Sequence, residues 1–260
     1  MTENLKDRHV VVTGAGRGLG AALALSLADV GCNVILCARS LAALDVIAGH
    51  IKTRTGRYPQ NVQLDLADAA SVDAASKEII RYAPIVDVLI NNGAAWLENR
   101  QSPYSASEVT AVIGSHQTGT FLFTQALLPA LQRSKRPDVV TIGSISGLPN
   151  ANLYTAAVPF YMAKHGQAAM ADGLRQMFLG MPVRSICIHP PWLDDISPLD
   201  TGWDAVPDRT KGERATNRDI VEAVIYAVTR PRHITVASMI IDSDSGGMDY
   251  RSQFEEKRGA

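Results

Sequence analysis

Cysteine is scarce in this sequence, which has three among 260 residues. Cys32, Cys37 and Cys187 stand among apolar residues, and their spacing matches neither a metal-binding pattern nor a disulfide framework. We interpret them as reduced core residues and expect no metal site. The N-terminal residues lack the apolar segment of a signal peptide, so we predict a cytoplasmic protein.

A charge imbalance and long apolar runs are also absent. The chain has 25 basic and 26 acidic residues and a net charge of -1, which gives no electrostatic basis for binding nucleic acid or an anionic membrane. No apolar run approaches the roughly 20 residues that span a bilayer. With 46% hydrophobic and 20% charged residues, the composition is typical of a globular protein, and we expect one domain over residues 1–260.

The most informative stretch is the glycine-rich segment at residues 13–20, TGAGRGLG. It follows an apolar, β-branched run at residues 9–12 that predicts a buried strand. It leads into the alanine- and leucine-rich residues 21–28, which have high helix propensity. Such a turn suits a phosphate, because glycine lets the backbone approach a ligand and the helix N-terminus presents free N–H groups. The sequence therefore predicts a dinucleotide site that includes Gly14, Gly16, Arg17, Gly18, Leu19 and Gly20.

Strand-like and helix-like segments alternate along the chain. After the first strand and helix, we expect strands at residues 33–38, 61–66, 85–91, 138–144, 183–189 and 233–242. We expect helices at residues 40–53, 68–82, 105–133, 159–179 and 219–228. Alternation predicts an α/β protein with a doubly wound Rossmann fold, a parallel sheet and helices on both faces. The irregular segment at about 190–211 is either a substrate-side lid or a surface excursion.

The end of the second strand indicates which dinucleotide binds. An acidic residue about 20 positions after the glycines binds the ribose of NAD, whereas a basic residue accommodates the 2′-phosphate of NADP. Here no acid occupies the strand end, and Arg39 follows it at once. Arg17 adds a second guanidinium, a group that pairs bidentately with phosphate. We therefore predict NADP or NADPH as the cofactor.

Four motifs resemble those of the short-chain dehydrogenase/reductase family. Residues 13–20 match its Thr-Gly-x-x-x-Gly-x-Gly pattern, and Asp65-Leu66 match the acidic position that contacts adenine after the third strand. Residues 87–94 resemble its Asn-Asn-Ala-Gly strand end with the last two residues exchanged. Residues 143–147 resemble the strand end that carries the family's serine. The resemblance covers nearly the whole chain.

The resemblance implies a fold, an assembly and further cofactor contacts. It implies a seven-stranded parallel sheet and a homodimer or homotetramer formed through the two long helices. The residues that it adds to the cofactor site are Asp65, Leu66, Asn91, Asn92, Gly93, Lys164 and Pro190.

The catalytic set that the family uses is incomplete here. The family has a serine, a tyrosine with a lysine four residues later, and an asparagine in the preceding long helix. Ser144 and Lys164 match this pattern, but Phe160 stands at the tyrosine and His116 at the asparagine. Phenylalanine can neither donate nor accept a proton. Asp195 falls where the family usually has a threonine beside the nicotinamide, and a carboxylate there would lie close to a pyrophosphate.

Three explanations remain open for Phe160. The acid has shifted to Tyr161, which shares a helix face with Lys164 at i,i+3 spacing, or to Tyr154 on the loop after the serine. Alternatively, His116 replaces it, because histidine titrates near neutral pH. In the third explanation redox chemistry is lost, and the chain is an NADP-binding protein with lost or repurposed, non-redox catalysis.

The favoured hypothesis is an NADP-dependent oxidoreductase acting on a small carbonyl or secondary alcohol. In this hypothesis Ser144 orients the carbonyl, and Lys164 holds the nicotinamide ribose and tunes the electrostatics. Tyr161 or His116 handles the proton, and the segment at 190–211 covers the substrate.

Overall fold

The computed structural model describes residues 4–149 and 156–244, and seven strands in this part of the chain form one parallel sheet. Their spatial order is β3-β2-β1-β4-β5-β6-β7, so the strand order reverses between β1 and β4. The strands are His9–Thr13 (β1), Asn33–Ala38 (β2), Gln60–Gln63 (β3), Val88–Asn91 (β4), Asp138–Ile142 (β5), Arg184–His189 (β6) and Ser238–Ile240 (β7). The predicted seven-stranded Rossmann fold is confirmed.

Helices cover both faces of the sheet. They are Gly18–Asp29 (α1), Leu41–Thr55 (α2), Ala69–Tyr82 (α3), Ala106–Ile113 (α4), Thr120–Gln132 (α5), Val158–Met177 (α6) and Asn217–Val228 (α7). Within β1, Val10 and Val12 pack into one hydrophobic cluster, while Val11 packs into another on the opposite face. Successive strand residues point to opposite faces, which is why these strands are continuously apolar.

Several predicted boundaries need correction. The long helix expected at 105–133 is divided by a π-helical segment, Gly114–Gly119. A Cβ on Gly119 would lie 1.7 Å from the Leu66 carbonyl oxygen, so the chain passes very close to another backbone there. The last strand is three residues long, and before it the Ile234 carbonyl accepts a hydrogen bond from the Arg184 side chain.

Side-chain caps begin several helices. The Ser40 hydroxyl accepts a hydrogen bond from the Ala43 N–H at the start of α2. Asp68 caps α3 in the same way. In the part of the chain that the structure describes, none of the helices has the length and apolar character needed to cross a membrane.

A buried ionic cluster joins β5, β6 and the segment after α7. The carboxylate of Asp138 is fully buried and pairs with Arg184 through two hydrogen bonds of 2.7 and 2.9 Å. Arg232 adds a third contact of 2.7 Å. Arg184 also donates to the carbonyls of Val228 and Ile234. This cluster therefore ties together the amino-terminal ends of β5 and β6, at the opposite end of these strands from the site described below.

We expect Asp138→Asn to lower the free energy of unfolding by about 3–5 kcal/mol, because it leaves buried guanidinium groups without their counter-charge. Urea unfolding followed by circular dichroism measures the change. The matched control is Asp73→Asn, which breaks an exposed pair with Lys77 (2.7 Å) and should leave stability nearly unchanged. An equal decrease in the free energy of unfolding in the two variants would show that the buried cluster stabilises the protein no more than the exposed pair does.

Candidate active site

A groove runs along the carboxyl ends of the strands and consists of two adjoining cavities. Their volumes are about 570 and 760 Å³. The residues that line both are Arg17, Gly18, Leu19, Asn92, Ala94 and Asp195. The groove opens where the strand order reverses between β1 and β4, which is the place where doubly wound sheets bind ligands.

The glycine-rich turn forms the floor of the first cavity. Gly14 and Gly18 have positive φ angles of 68° and 57°, which glycine adopts without steric cost. A Cβ on Gly20 would lie 2.1 Å from the Gly14 carbonyl oxygen, so the turn closes tightly. In the described structure no side chain caps the N-terminus of α1 and no acidic residue lies in its first turn. The free N–H groups of α1 are therefore available to a phosphate, and this cradle fits the pyrophosphate of a dinucleotide.

Most of the residues predicted to bind the cofactor lie in this groove. Those that line the first cavity are Gly14, Gly16, Arg17, Gly18, Leu19, Gly20, Arg39, Asp65, Leu66, Asn92 and Gly93. Asn91 does not line it, because its side chain is buried and donates to the Thr124 hydroxyl at 2.9 Å. Arg39 and Arg17 are both exposed at the surface of the groove, where their guanidinium groups can meet a phosphate.

Lys164 is a buried cation on the wall of the second cavity. Its Nζ donates to the Ile142 carbonyl at 3.1 Å and to Gln167 Oε1 at 2.9 Å. Burial lowers the pKa of this ammonium group to about 8. An ammonium group has three donors, so one N–H remains for a ligand. Lys164 is therefore a cavity-lining group that can change its protonation state close to neutral pH.

Ser144 lies beside Lys164 in the same cavity, two residues after the end of β5. Its hydroxyl oxygen accepts a hydrogen bond from the Ser146 N–H at 3.1 Å. Its backbone carbonyl lies 3.1 Å from Nδ1 of His189, the last residue of β6. Pro190 follows and also lines this cavity. The Ser144 hydroxyl can thus accept from its own turn and donate its hydrogen to a ligand.

Phe160 occupies the place next to Lys164 that the family gives to tyrosine. Its ring is buried, lines the second cavity, and has its centroid 5.7 Å from Lys164 Nζ. It packs edge-on against Trp96 with centroids 4.7 Å apart. The chain therefore keeps an aromatic ring at this position but no hydroxyl group.

Tyr161, one of the predicted proton carriers, lines neither of the two cavities. Tyr161 is half-buried, and its ring centroid lies 4.5 Å from that of His165. Tyr154 lies outside the described residues. The roles of both tyrosines stay predictions.

His116 is fully buried in the π-helical segment, with its ring 5.5 Å from that of Phe160. Its Nδ1 lies 2.8 Å from the Val112 carbonyl, so Nδ1 carries the hydrogen and Nε2 is an acceptor. Burial, with a smaller contribution from the nearby Lys164 charge, lowers the pKa of His116 to about 3. A neutral imidazole in this tautomer holds no proton on Nε2 to donate. The structure thus offers an acceptor here, and its role as a proton carrier stays a prediction.

The first part of the segment at 190–211 borders the cavity, and the remainder forms two short 3₁₀ turns farther along the surface. Within it, Asp195 Oδ1 accepts a hydrogen bond from Asn217 at 2.6 Å. A Cβ built on Gly18 would lie 3.6 Å from that oxygen. The carboxylate therefore lies close to the glycine-rich turn, as expected from its position in the sequence.

Sequence reasoning missed two residues that line the second cavity, Trp96 and Asn217. Trp96 stands three residues after Gly93, so its position just beyond the β4 strand end was a usable signal. Asn217 begins α7, far from the other site residues in the sequence. It reaches the site through its hydrogen bond to Asp195.

Comparison with known proteins agrees with this geometry. The model of the short chain dehydrogenase family matches residues 8–201. An uncharacterized oxidoreductase of Staphylococcus aureus is 27% identical over 240 residues, which are 91% of this chain and 97% of that protein. A short chain dehydrogenase from Salmonella enterica has a TM-score of 0.77 at 25% identity, covering 93% of this chain and 98% of its own.

A protein from Escherichia coli CFT073, described as a short chain dehydrogenase and complexed with NADPH, has the same TM-score and identity. The alignment covers 91% of this chain and 98% of that one. The family match spans most of the chain and includes the glycine-rich turn, Ser144 and Lys164. The chain belongs to the short-chain dehydrogenase family.

Proposed function

We propose that the protein is an NADP-dependent oxidoreductase that interconverts a small carbonyl compound and a secondary alcohol. The observation that carries this proposal is the continuous groove, which leads from Arg39 past the glycine-rich turn to Ser144 and Lys164. A dinucleotide extended along this groove would have its adenosine end at Arg39 and its nicotinamide end at Ser144 and Lys164. The E. coli relative complexed with NADPH supports the choice of cofactor.

The chain's own residues would hold the cofactor at three points. The free N–H groups of α1 would bind the pyrophosphate, and Arg39 with Arg17 would pair with the 2′-phosphate. The third N–H of Lys164 would bind the nicotinamide ribose. When bound, the nicotinamide supplies or takes up a hydride.

The remaining chemistry is proton transfer to the carbonyl oxygen. Ser144 would donate a hydrogen bond to this oxygen and so orient the carbonyl group. We assign the proton itself to Lys164 Nζ, because this group lines the cavity and has a pKa of about 8. Its one remaining N–H would be shared between the nicotinamide ribose and the carbonyl oxygen, and its proton would pass to the carbonyl oxygen in the reaction. A catalytic acid works best when its pKa lies near the operating pH. Tyr161 and His116 are the competing carriers, and variants distinguish the three.

We extend the proposal to the setting of the protein. The family resemblance supports a homodimer or homotetramer, and the composition supports a cytoplasmic location. The part of the segment at 190–211 that borders the second cavity supports its role as a lid over the substrate.

Arg39 should decide which cofactor binds. Arg39→Ala should weaken NADPH binding about tenfold and leave NADH binding nearly unchanged, because only NADPH carries the 2′-phosphate. Cofactor fluorescence titration measures both dissociation constants. Arg81→Ala, at an exposed position in the last turn of α3, is the control and should alter neither. An equal loss for both cofactors would refute the role of Arg39 in discriminating between them.

Lys164 should supply the proton. With saturating NADPH and a panel of small ketones and aldehydes, reduction should be constant below about pH 7. It should fall above about pH 8, where Lys164 loses its proton. Lys164→Met should reduce the rate by about 10²–10⁴-fold, whereas Tyr161→Phe and His116→Gln should leave the pH profile in place. NADPH absorbance gives the rates. Loss of activity in either of these latter variants alone would transfer the role to that residue, and binding of NADPH without any oxidation would defeat the proposal.

Phe160 favours a second candidate, an NADP-binding protein with lost or repurposed chemistry. It predicts tight NADPH binding, no turnover in the natural chain, and a gain of activity in Phe160→Tyr. That hydroxyl would lie beside Lys164 and restore an acid worth about 10²–10⁴-fold in rate. The same NADPH assay, run on both proteins with the same panel, separates the candidates. Turnover by the natural chain would exclude this second candidate.

A further inference from the structure

Three aromatic rings form a wall at one end of the second cavity. We call Trp96, Phe160 and Trp192 the aromatic corner. The ring of Trp96 lies 4.7 Å from that of Phe160 and 5.5 Å from that of Trp192, between centroids, and it is perpendicular to the Trp192 ring. All three residues line the cavity. They come from three separate segments of the chain, and the fold alone brings them together.

The aromatic corner leaves indole surface uncovered within the cavity. Trp96 is 48% and Trp192 43% exposed, whereas Phe160 is buried between Trp96 and its neighbours. Because an aromatic side chain has a large apolar surface, covering it with a ligand removes much apolar area from water and lowers the free energy of the complex. These two rings therefore offer a surface that a ligand would stabilise by covering.

The surroundings of the aromatic corner select an uncharged ligand. Neighbouring cavity residues include Ala94, Ala156, Pro191 and Leu193, which carry no charged or hydrogen-bonding side chain. Lys164 Nζ lies 5.7 Å from the Phe160 ring centroid. A cationic ligand would be repelled by this ammonium group. An anionic ligand would be attracted to the same ammonium group but repelled by the Asp195 carboxylate, which also lines this cavity, and by the electron-rich faces of the rings.

The geometry of the rings distinguishes a flat aromatic ligand from a saturated one. Aromatic rings prefer offset-stacked or edge-to-face contacts at centroid distances of about 4.5–7 Å. Two perpendicular indoles provide one ring to stack on and one to meet at its edge. A saturated ring of the same size has no π face, so only the burial of its apolar surface would stabilise it there.

We infer that the aromatic corner is a binding subsite for an uncharged aromatic ring, which makes aryl ketones and aryl carbinols the substrate class. Phe160 belongs to the corner and lies next to Lys164, so a ring held there would place an attached carbonyl close to Ser144 and Lys164. The inference of substrate class rests on the proposed function. The inference of ring binding does not require turnover.

The test compares 1-phenylethanol with 1-cyclohexylethanol, which have the same carbon skeleton. Each alcohol is titrated calorimetrically into the protein in the presence of NADPH, so that no oxidation of the alcohol takes place. We expect 1-phenylethanol to bind about 2- to 12-fold tighter, which is the change in affinity that corresponds to the interaction energy of one aromatic pair. Burial of apolar area alone predicts the reverse order, because the saturated alcohol is the more apolar one.

Matched variants locate the preference. Trp96→Leu and Trp192→Leu should abolish it, whereas Trp96→Phe and Trp192→Phe should keep it because they retain a ring. Tyr226→Leu is the control, since Tyr226 is an exposed aromatic residue of α7 whose ring lies beside Arg230 and lines neither cavity. It should bind both alcohols as the natural protein does.

The outcomes are distinct from those that test the proposed function. Equal or reversed affinities in the natural protein, or a preference that survives in both leucine variants, would overturn the aromatic subsite. A preference for the phenyl compound without NADPH oxidation by acetophenone would keep the subsite and reject the redox reaction. Oxidation of NADPH by acetophenone, without a preference for the phenyl compound in binding, would support the redox reaction and reject the aromatic subsite.

Discussion

The groove depends on the hydrogen bonds that hold the ends of β1 and β4 together. The Thr13 hydroxyl donates to the Ile90 carbonyl and accepts from the N–H groups of Asn92 and Gly93 at 3.0 and 2.8 Å. The Asn92 side chain in turn donates to the Thr13 carbonyl at 3.0 Å. This exchange fixes the two strand ends where the sheet order reverses. The glycine-rich turn leaves from one side and the segment carrying Trp96 from the other, so both cavities are positioned by the same contacts.

Burial then decides the electrostatics of the second cavity. The same low-dielectric surroundings lower the pKa of Lys164 to about 8 and that of His116 to about 3, because desolvation disfavours the charged form of a base. The Lys164 ammonium group donates hydrogen bonds to the Ile142 carbonyl and to the Gln167 side chain. The histidine has no partner at Nε2 among the described residues. The two bases therefore differ in protonation state at neutral pH, where the lysine is mostly protonated and the histidine is neutral.

With Phe160 in place of tyrosine, the site lacks a hydroxyl group but keeps the packing of an aromatic ring. The hydroxyl is gone, yet the ring keeps its contacts with Trp96 and His116 at centroid distances of 4.7 and 5.5 Å. A smaller side chain would open the wall of the cavity beside Lys164. The site thus retains an aromatic ring at this place and lacks the hydroxyl of the family's usual residue.

The sequence by itself determined the doubly wound fold and the glycine-rich turn between its first strand and first helix. These features are local: residues 13–20 carry their own turn, and strand and helix periodicity does not depend on distant contacts. The tertiary structure decided that Asn91 faces Thr124 while Asn92 faces the groove, and that Tyr161 and His116 lie outside the cavities. It also brought Trp96, Phe160 and Trp192 together. Side-chain direction, desolvation and contacts between distant segments arise only when the chain packs, so no spacing in the sequence could specify them.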